Sequence, residues 1–213
     1  MDLETVDKLL TTTRSVRQRL DLTRPVEPEI IEHCLEIAVQ APAGGNVCRY
    51  HFMIVTDPAK RAAIGDWYQQ AFAKVYTAEV LAERRKTHAR DVASWVYLVD
   101  HLRDVPMLVI PCLEGRPEED ITVARLGGFY GNILPAAWSL VLALRARGIG
   151  SAWTTLALRH EKEIADLLGM PANITPAALL PVAYITGGDL KPARRVPARE
   201  RTYWDTWGAP RAG

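Results

Sequence analysis

Two short basic elements near opposite ends of the chain carry the residue types best suited to holding an anion. Arg14-Ser15-Val16-Arg17 follows the first helical pattern, and Arg194-Arg195 stands just before Pro197. A guanidinium keeps its charge and presents a planar fork, so each element suits a dianionic phosphate or neighbouring carbonyl oxygens. Taken singly, Arg14 and Arg17 could equally complement a helix dipole, and a pair of arginines is usually solvated charge. Between them lie two glycine-bearing segments, Pro42-Ala43-Gly44-Gly45-Asn46 and Gly148-Ile149-Gly150-Ser151-Ala152-Trp153-Thr154-Thr155. The glycines of the first clear the way for close approach of another group, although a helix-stopping loop accounts for them as well. The second is no dinucleotide fingerprint, because Trp153 holds the third glycine position and the segment follows a helix rather than a strand.

Other chemistries find no residues to carry them. His33, His51, His88, His101 and His160 show no metal-type spacing, and neither Gly-x-Ser-x-Gly nor a phosphate loop ending in Gly-Lys-Ser/Thr occurs. Cys34, Cys48 and Cys112 are odd in number and lack Cys-x-x-Cys spacing, which argues against a disulfide framework or zinc ribbon and for small buried hydrophobes. With no nucleophile and no metal set, catalysis falls to a bound organic cofactor.

The elements that must position these residues can be read from periodicity. A helix is predicted from Leu3 to about Thr12, with Leu3, Val6, Leu9 and Leu10 on one face. A second starts at Pro28, turns Ile30, Ile31, Cys34, Leu35, Ile37 and Ala38 inward, and is stopped by Pro42. Tyr50 to Thr56 reads as a strand ended by Asp57-Pro58, and helical character runs from Asp66 to about Leu102. Pro106 to Cys112 is a buried strand. The uncharged stretch from Leu126 to Leu144 has the length of a bilayer span, but Gly127, Gly128, Gly131, Asn132 and Pro135 argue for a glycine-bearing connection feeding a buried helix closed by Arg147 and Gly148. A short helix ends at Gly169, and Leu179 to Thr186 is a last strand before Gly187-Gly188. Long helices among irregularly spaced strands define an α+β fold rather than regular βαβ alternation.

The chain has 213 residues, 48% apolar and 24% charged, with a net charge of +1. That suffices for one domain with a sizeable core and creates no global field that would recruit nucleic acid or anionic lipid. Thr77 to Asp104 balances five acids against five Lys or Arg residues, as a solvated surface does. From Asp189 onward, six basic residues including Arg211 face three acids, and Tyr203, Trp204 and Trp207 suggest a tail that packs on a partner subunit. The acidic start Met1-Asp2-Leu3-Glu4 does not resemble a secretory signal, so a cytoplasmic location is expected.

In their order along the chain, Arg14-Ser15-Val16-Arg17, Pro42 to Asn46, Gly148 to Thr155 and Arg194-Arg195 resemble the flavin-binding pattern of the nitroreductase family, over nearly the whole chain. The resemblance implies a central, mostly antiparallel sheet flanked by helices in an intertwined homodimer, with residues 1–213 as one FMN-binding domain and 189–213 as an extension packing on the partner. It implies that Arg14 holds the FMN phosphate with help from Ser15, that Arg17 lies near the pyrimidine edge, and that Arg195, beside Arg194, is the second phosphate ligand. Trp153, Thr154 and Thr155 would offer backbone and hydroxyl donors near the flavin N5 and ring face, along a turn. Pro42, Ala43, Gly44 and Asn46 would complete the site between subunits. The family usually has Ser where Ala43 stands and Gln-Pro-Trp or similar where Cys48-Arg49-Tyr50 stands, which implies an altered substrate or cofactor edge. The implied activity is hydride transfer from NADH or NADPH through FMN to a nitroaromatic or quinone in ping-pong fashion, with no catalytic side chain and no metal. A reductive dehalogenase, a flavin-fragmenting enzyme or a flavin-storing protein are the alternatives. The helix around Glu83 to Arg90 is a candidate cover for the pocket.

Overall fold

Strand β1 (Tyr50–Val55) runs antiparallel to β2 (Met107–Glu114), from Tyr50 opposite Leu113 to Val55 opposite Leu108, in a computed structural model that describes residues 1–209. All of β2 except Glu114 is buried, as a near-continuous apolar run predicts for a strand covered on both faces. Its second edge is shared. β4 (Ile174–Pro176) pairs with Cys112 to Glu114, and β5 (Leu180–Tyr184) pairs with Met107 to Val109. Pro111 falls in the gap between those two ladders, where its missing N–H costs no strand bond, and its carbonyl accepts from the Ala177 amide at 2.8 Å. β3 (Ile149–Ser151) closes the sheet on β5, giving the order β1-β2-β5-β3 with every pairing antiparallel. The expected α+β class and antiparallel sheet are what the chain forms.

Helices α2 (Pro28–Ala38) and α6 (Leu134–Ala146) pack on each other and on the sheet. Ile31, Cys34 and Ala38 meet Leu140 and Leu144 in one cluster with Met107, Val109, Leu180 and Val182. Ile37, expected inside, flanks that stripe and is 40% exposed. The helical region after β1 is longer than predicted and divided. α3 (Pro58–Val75) begins eight residues early because Asp57 caps the Lys60 amide at 2.8 Å and Pro58 occupies the first turn. Tyr76 breaks it, and Thr77 starts α4 (Ala78–His101), itself kinked at His88 where φ is −133°. Arg61 fastens the start of α3 by donating to the carbonyls of Thr56, Arg103 and Val105.

Two further expectations are corrected. The glycine-bearing connection before α6 is itself a helix, α5 (Val123–Gly131), none of whose residues is buried. The apolar stretch from Val123 to Ala146 is long and apolar enough to cross a membrane, yet Asn132 and Ile133 divide it into these two helices. Cys48 is exposed while Cys34 and Cys112 are buried, and burial raises the Cys112 thiol to about 12. After α7 (Glu161–Leu168), Gly169 supplies the left-handed cap at φ 66°, as its sequence position predicts.

The contacts divide the chain into two units, Arg14–Gly188, which holds the whole sheet, and a smaller unit of Met1–Thr13 with the chain from Asp189 onward. In the smaller unit α1 (Leu3–Thr12) has the predicted bounds, and Lys8 pairs with Asp189 at 3.1 Å. Its expected inward face is only half covered, with Leu3 and Leu10 exposed. Tyr203 and Trp207 lie against each other at 4.8 Å, and Trp207 remains 88% exposed. Arg211, counted among the basic residues of the tail, lies outside the described residues.

Candidate active site

The segment Arg14-Ser15-Val16-Arg17 is stapled to the sheet edge. The Val16 amide donates to the Ser151 carbonyl at 2.8 Å, and Leu20 bridges to Ile185 a few residues on. The close approach depends on Gly150, where an added Cβ would lie 2.9 Å from both Val16 Cβ and Ile185 Cγ1. The glycines here therefore serve a strand, β3, entered through the left-handed Gly148 at φ 74°, and not the turn that the resemblance implied. Arg14 and Ser15 are exposed, and Val16 is buried beneath them.

Seating Val16 on β3 brings Arg17 to a cleft of about 190 Å³ with Trp153, Thr154 and Thr155, three other residues singled out from the sequence. Arg17 is half-buried, and its guanidinium has no hydrogen bond or ion pair among the described residues, although its carbonyl accepts from the Leu20 amide at 3.4 Å. Burial holds its guanidinium below its ordinary pKa, while Tyr68 and Asp91 pull the other way. A desolvated cation without a counter-ion is costly, and an anionic or electron-rich ligand offsets that cost. Thr154 is engaged in the fold: its main chain exchanges bonds with Leu179 at 2.8 and 3.1 Å, and its hydroxyl donates to Tyr68 Oη at 3.3 Å. The amides of Trp153 and Thr155 have no acceptor among the described residues, so they are the donors this segment can still offer.

Sequence reasoning missed the other wall. Tyr68 and Phe72 from α3, Tyr76 at the break after it and Trp95 from α4 line the same cleft. Tyr68 is 4% exposed, and its phenol is raised above its ordinary value first by burial, with Thr154 and Arg17 opposing. Phe72 and Tyr76 ring centroids are 4.8 Å apart, those of Tyr76 and Trp95 5.5 Å, and the Arg84 guanidinium stands 5.9 and 5.7 Å from Tyr76 and Trp95. Aromatic spacing was visible in the sequence. What it lacked was the break at Tyr76 that folds α4 back toward α3.

The remaining singled-out residues lie elsewhere. Pro42, Ala43, Gly44 and Asn46 are not among the residues lining this cleft. Gly44 donates to Asn132 Oδ1 at 2.8 Å, beside the α5–α6 junction, and Ala43 packs against the cluster of Tyr50, Leu113, Ile133 and Ala136. Gly45 and Asn46 both take left-handed conformations, at φ 61° and 56°, which suits Asn after Gly. Arg194 and Arg195 are exposed in the smaller unit.

The cleft thus brings together an arginine, aromatic faces and free amides, groups that suit the carbonyl edge of a flat heterocycle. The chain belongs to the Nitroreductase family, whose model it matches over residues 10–184, and so to a class of NAD(P)H-dependent flavin oxidoreductases. It is similar to a putative NADH dehydrogenase/NAD(P)H nitroreductase of Archaeoglobus fulgidus, 28% identical over 181 residues and 83% of each chain. It is also similar to the 5,6-dimethylbenzimidazole synthase of Rhodospirillum rubrum, 27% identical over 94% of this chain and 89% of that protein. Among solved structures, a variant of the FMN- and NADPH-dependent nitroreductase NfnB from Sphigopyxis sp. strain HMH shares the fold, with a TM-score of 0.67 and 18% identity over 94% of this chain and 99% of that one.

Proposed function

We propose that the protein binds FMN in the Arg17 cleft and uses it to pass reducing equivalents from NADH or NADPH to a nitroaromatic or quinone acceptor. The observation that carries this reading is the half-buried, unpaired guanidinium of Arg17 beside the free amides of Trp153 and Thr155. These donors fit the group. A cation and N–H donors at one end of a cleft walled by Tyr68 and Trp153 match an isoalloxazine with its electron-rich pyrimidine edge. When bound, FMN supplies the two-electron redox chemistry. The chain's own residues do the rest: Arg17 stabilises negative charge, Trp153 and Thr155 orient the ring, and the aromatic wall excludes water from its exposed face. Arg14, assisted by Ser15, and Arg195, beside Arg194, hold the phosphate in this reading, as the family pattern implies.

A homodimer and a cytoplasmic location complete the proposal. On the larger unit Val123, Leu126, Leu134 and Trp138 leave α5 and α6 with an exposed apolar face, and the Pro42–Asn46 loop is anchored beside it through Gly44 and Asn132. Such a face favours a second subunit that brings its own copy of the loop to the site. In the smaller unit, Trp204 and Trp207 are exposed, as expected of an extension that packs on a partner.

The purified protein should be yellow and release FMN on denaturation. Arg14→Ala and Arg195→Ala should each weaken FMN binding by about tenfold or more, the scale of a lost charge-assisted hydrogen bond, while the apoprotein melts within a few degrees of the parent. Unchanged FMN affinity in both variants refutes the phosphate assignment. Bleaching by NADPH and recovery on adding a quinone separate an enzyme from a flavin store. A second reading, a 5,6-dimethylbenzimidazole synthase that consumes its flavin, follows from the alignment with the Rhodospirillum rubrum protein of that name over 94% of this chain together with the flavin-fragmenting alternative raised above. Chromatography of the flavin after aerobic turnover distinguishes it, since an acceptor-reducing enzyme returns its FMN intact.

A further inference from the structure

We infer that the wall formed by Phe72, Tyr76, Trp95 and Arg84 selects the acceptor, and that it takes a planar aromatic ring bearing an anionic substituent such as a carboxylate. The inference rests on the flavin reading and adds a substrate class to it. Phe72, Tyr76 and Trp95 form a chain of tilted rings spaced 4.8 and 5.5 Å; Phe72 is buried, and the half-buried Tyr76 and Trp95 offer aromatic surface to an offset or edge-on partner. Arg84 and Trp95 lie on either side of the His88 kink in α4. The guanidinium meets both Tyr76 and Trp95, at 5.9 and 5.7 Å.

The charges around the cleft do not cancel. Asp91 acts on Arg17, where it opposes the effect of burial. Glu83, next to Arg84 in sequence, is held by Lys86 at 2.5 Å. Tyr68 is kept neutral by burial. Arg84 has no ion pair among the described residues and is exposed at the rim, and no carboxylate lines the cleft. A neutral ring would use the aromatic wall alone, whereas a ring with a carboxylate also engages Arg84, which can stack and donate a planar fork.

The test uses FMN-loaded protein and two probes of the same shape, para-nitrobenzoate and its neutral counterpart para-nitrobenzamide, with binding read by calorimetry. The parent protein should prefer the benzoate by about fivefold, the scale of a partly exposed ion pair. Arg84→Gln should abolish that preference by weakening the benzoate alone, with the amide changed less than about twofold, and Arg84→Lys should retain part of it. Raising salt from about 0.05 M to about 0.5 M should narrow the preference in the parent and leave Arg84→Gln unaffected. Equal binding of the two probes by the parent overturns the inference, as does a preference that survives in Arg84→Gln. FMN uptake is titrated separately on the same preparation. Failure to take up FMN refutes the flavin reading, and a benzoate preference lost with Arg84 in FMN-free protein upholds the wall by itself.

Discussion

Arg17 and Tyr68 occupy the same cleft and bias each other. Burial lowers the guanidinium and raises the phenol, while each counters the shift of the other. The phenol is therefore neutral over the working range of pH, and its oxygen already accepts from Thr154. This gives an alkaline signature. Tyr68 ionises in the unfolded chain near the ordinary phenol value of 10.0 but later in the folded one, so the unfolded state loses the proton first. Stability is complete below about pH 10 and falls as pH rises from there through the raised folded value. Tyr68→Phe should cost about 1 kcal/mol near neutrality through the lost hydrogen bond and should make the fall above pH 10 shallower. Thermal melts of both proteins across that range check it, and an unchanged alkaline slope contradicts the buried, neutral phenol.

At the scale of elements, β3 is only three residues long, yet it decides where the Arg14–Arg17 segment lies. Gly150 lets Val16 and Ile185 close over it, and the Val16 amide locks the register on Ser151. Gly150→Ala forces a contact of 2.9 Å on a branched side chain whose backbone is already pinned. The expected cost is about 1–3 kcal/mol of stability, with weakened FMN binding because Arg17 moves with Val16. Denaturant unfolding and FMN titration of the variant read the two effects separately. Gly148→Ala, with its Cβ in open space but φ at 74°, provides the comparison, since it strains the turn without touching Val16.

For the whole molecule, the distribution of apolar surface points to an assembly. Trp138 is 42% exposed on α6 and Val123 89% exposed on α5, apolar surface of the kind that a partner subunit covers. Trp138→Glu together with Leu126→Glu should convert the proposed dimer to monomer, as read by light scattering on a sizing column. FMN should bind more weakly in the monomer, because Gly44 and Asn46 of one chain would no longer reach the other chain's cleft. A parent protein that elutes as a monomer with full FMN affinity contradicts both statements.

Local chemistry along the chain was enough to determine the α+β class, the bounds of α1, the start of α2, the buried β2 and the cap at Gly169, because periodicity, prolines and glycines act over a few residues. The resemblance to the family, not local periodicity, singled out Arg17, Trp153, Thr154 and Thr155, which do share a cleft. Tertiary structure alone decided which partners those residues meet. Ile149–Ser151 became a strand because Tyr184, Ala183 and Val182 of β5 offer it an edge, a pairing over more than thirty residues of chain that no local window contains. The Tyr76 break turned a single helical stretch into two walls and set Arg84 over Trp95, and the committed donors of Thr154 left Trp153 and Thr155 as the free ones. Hydrogen bonds and close contacts between distant segments are settled only when the core brings those segments together, so residue type could nominate the site but packing had to assemble it.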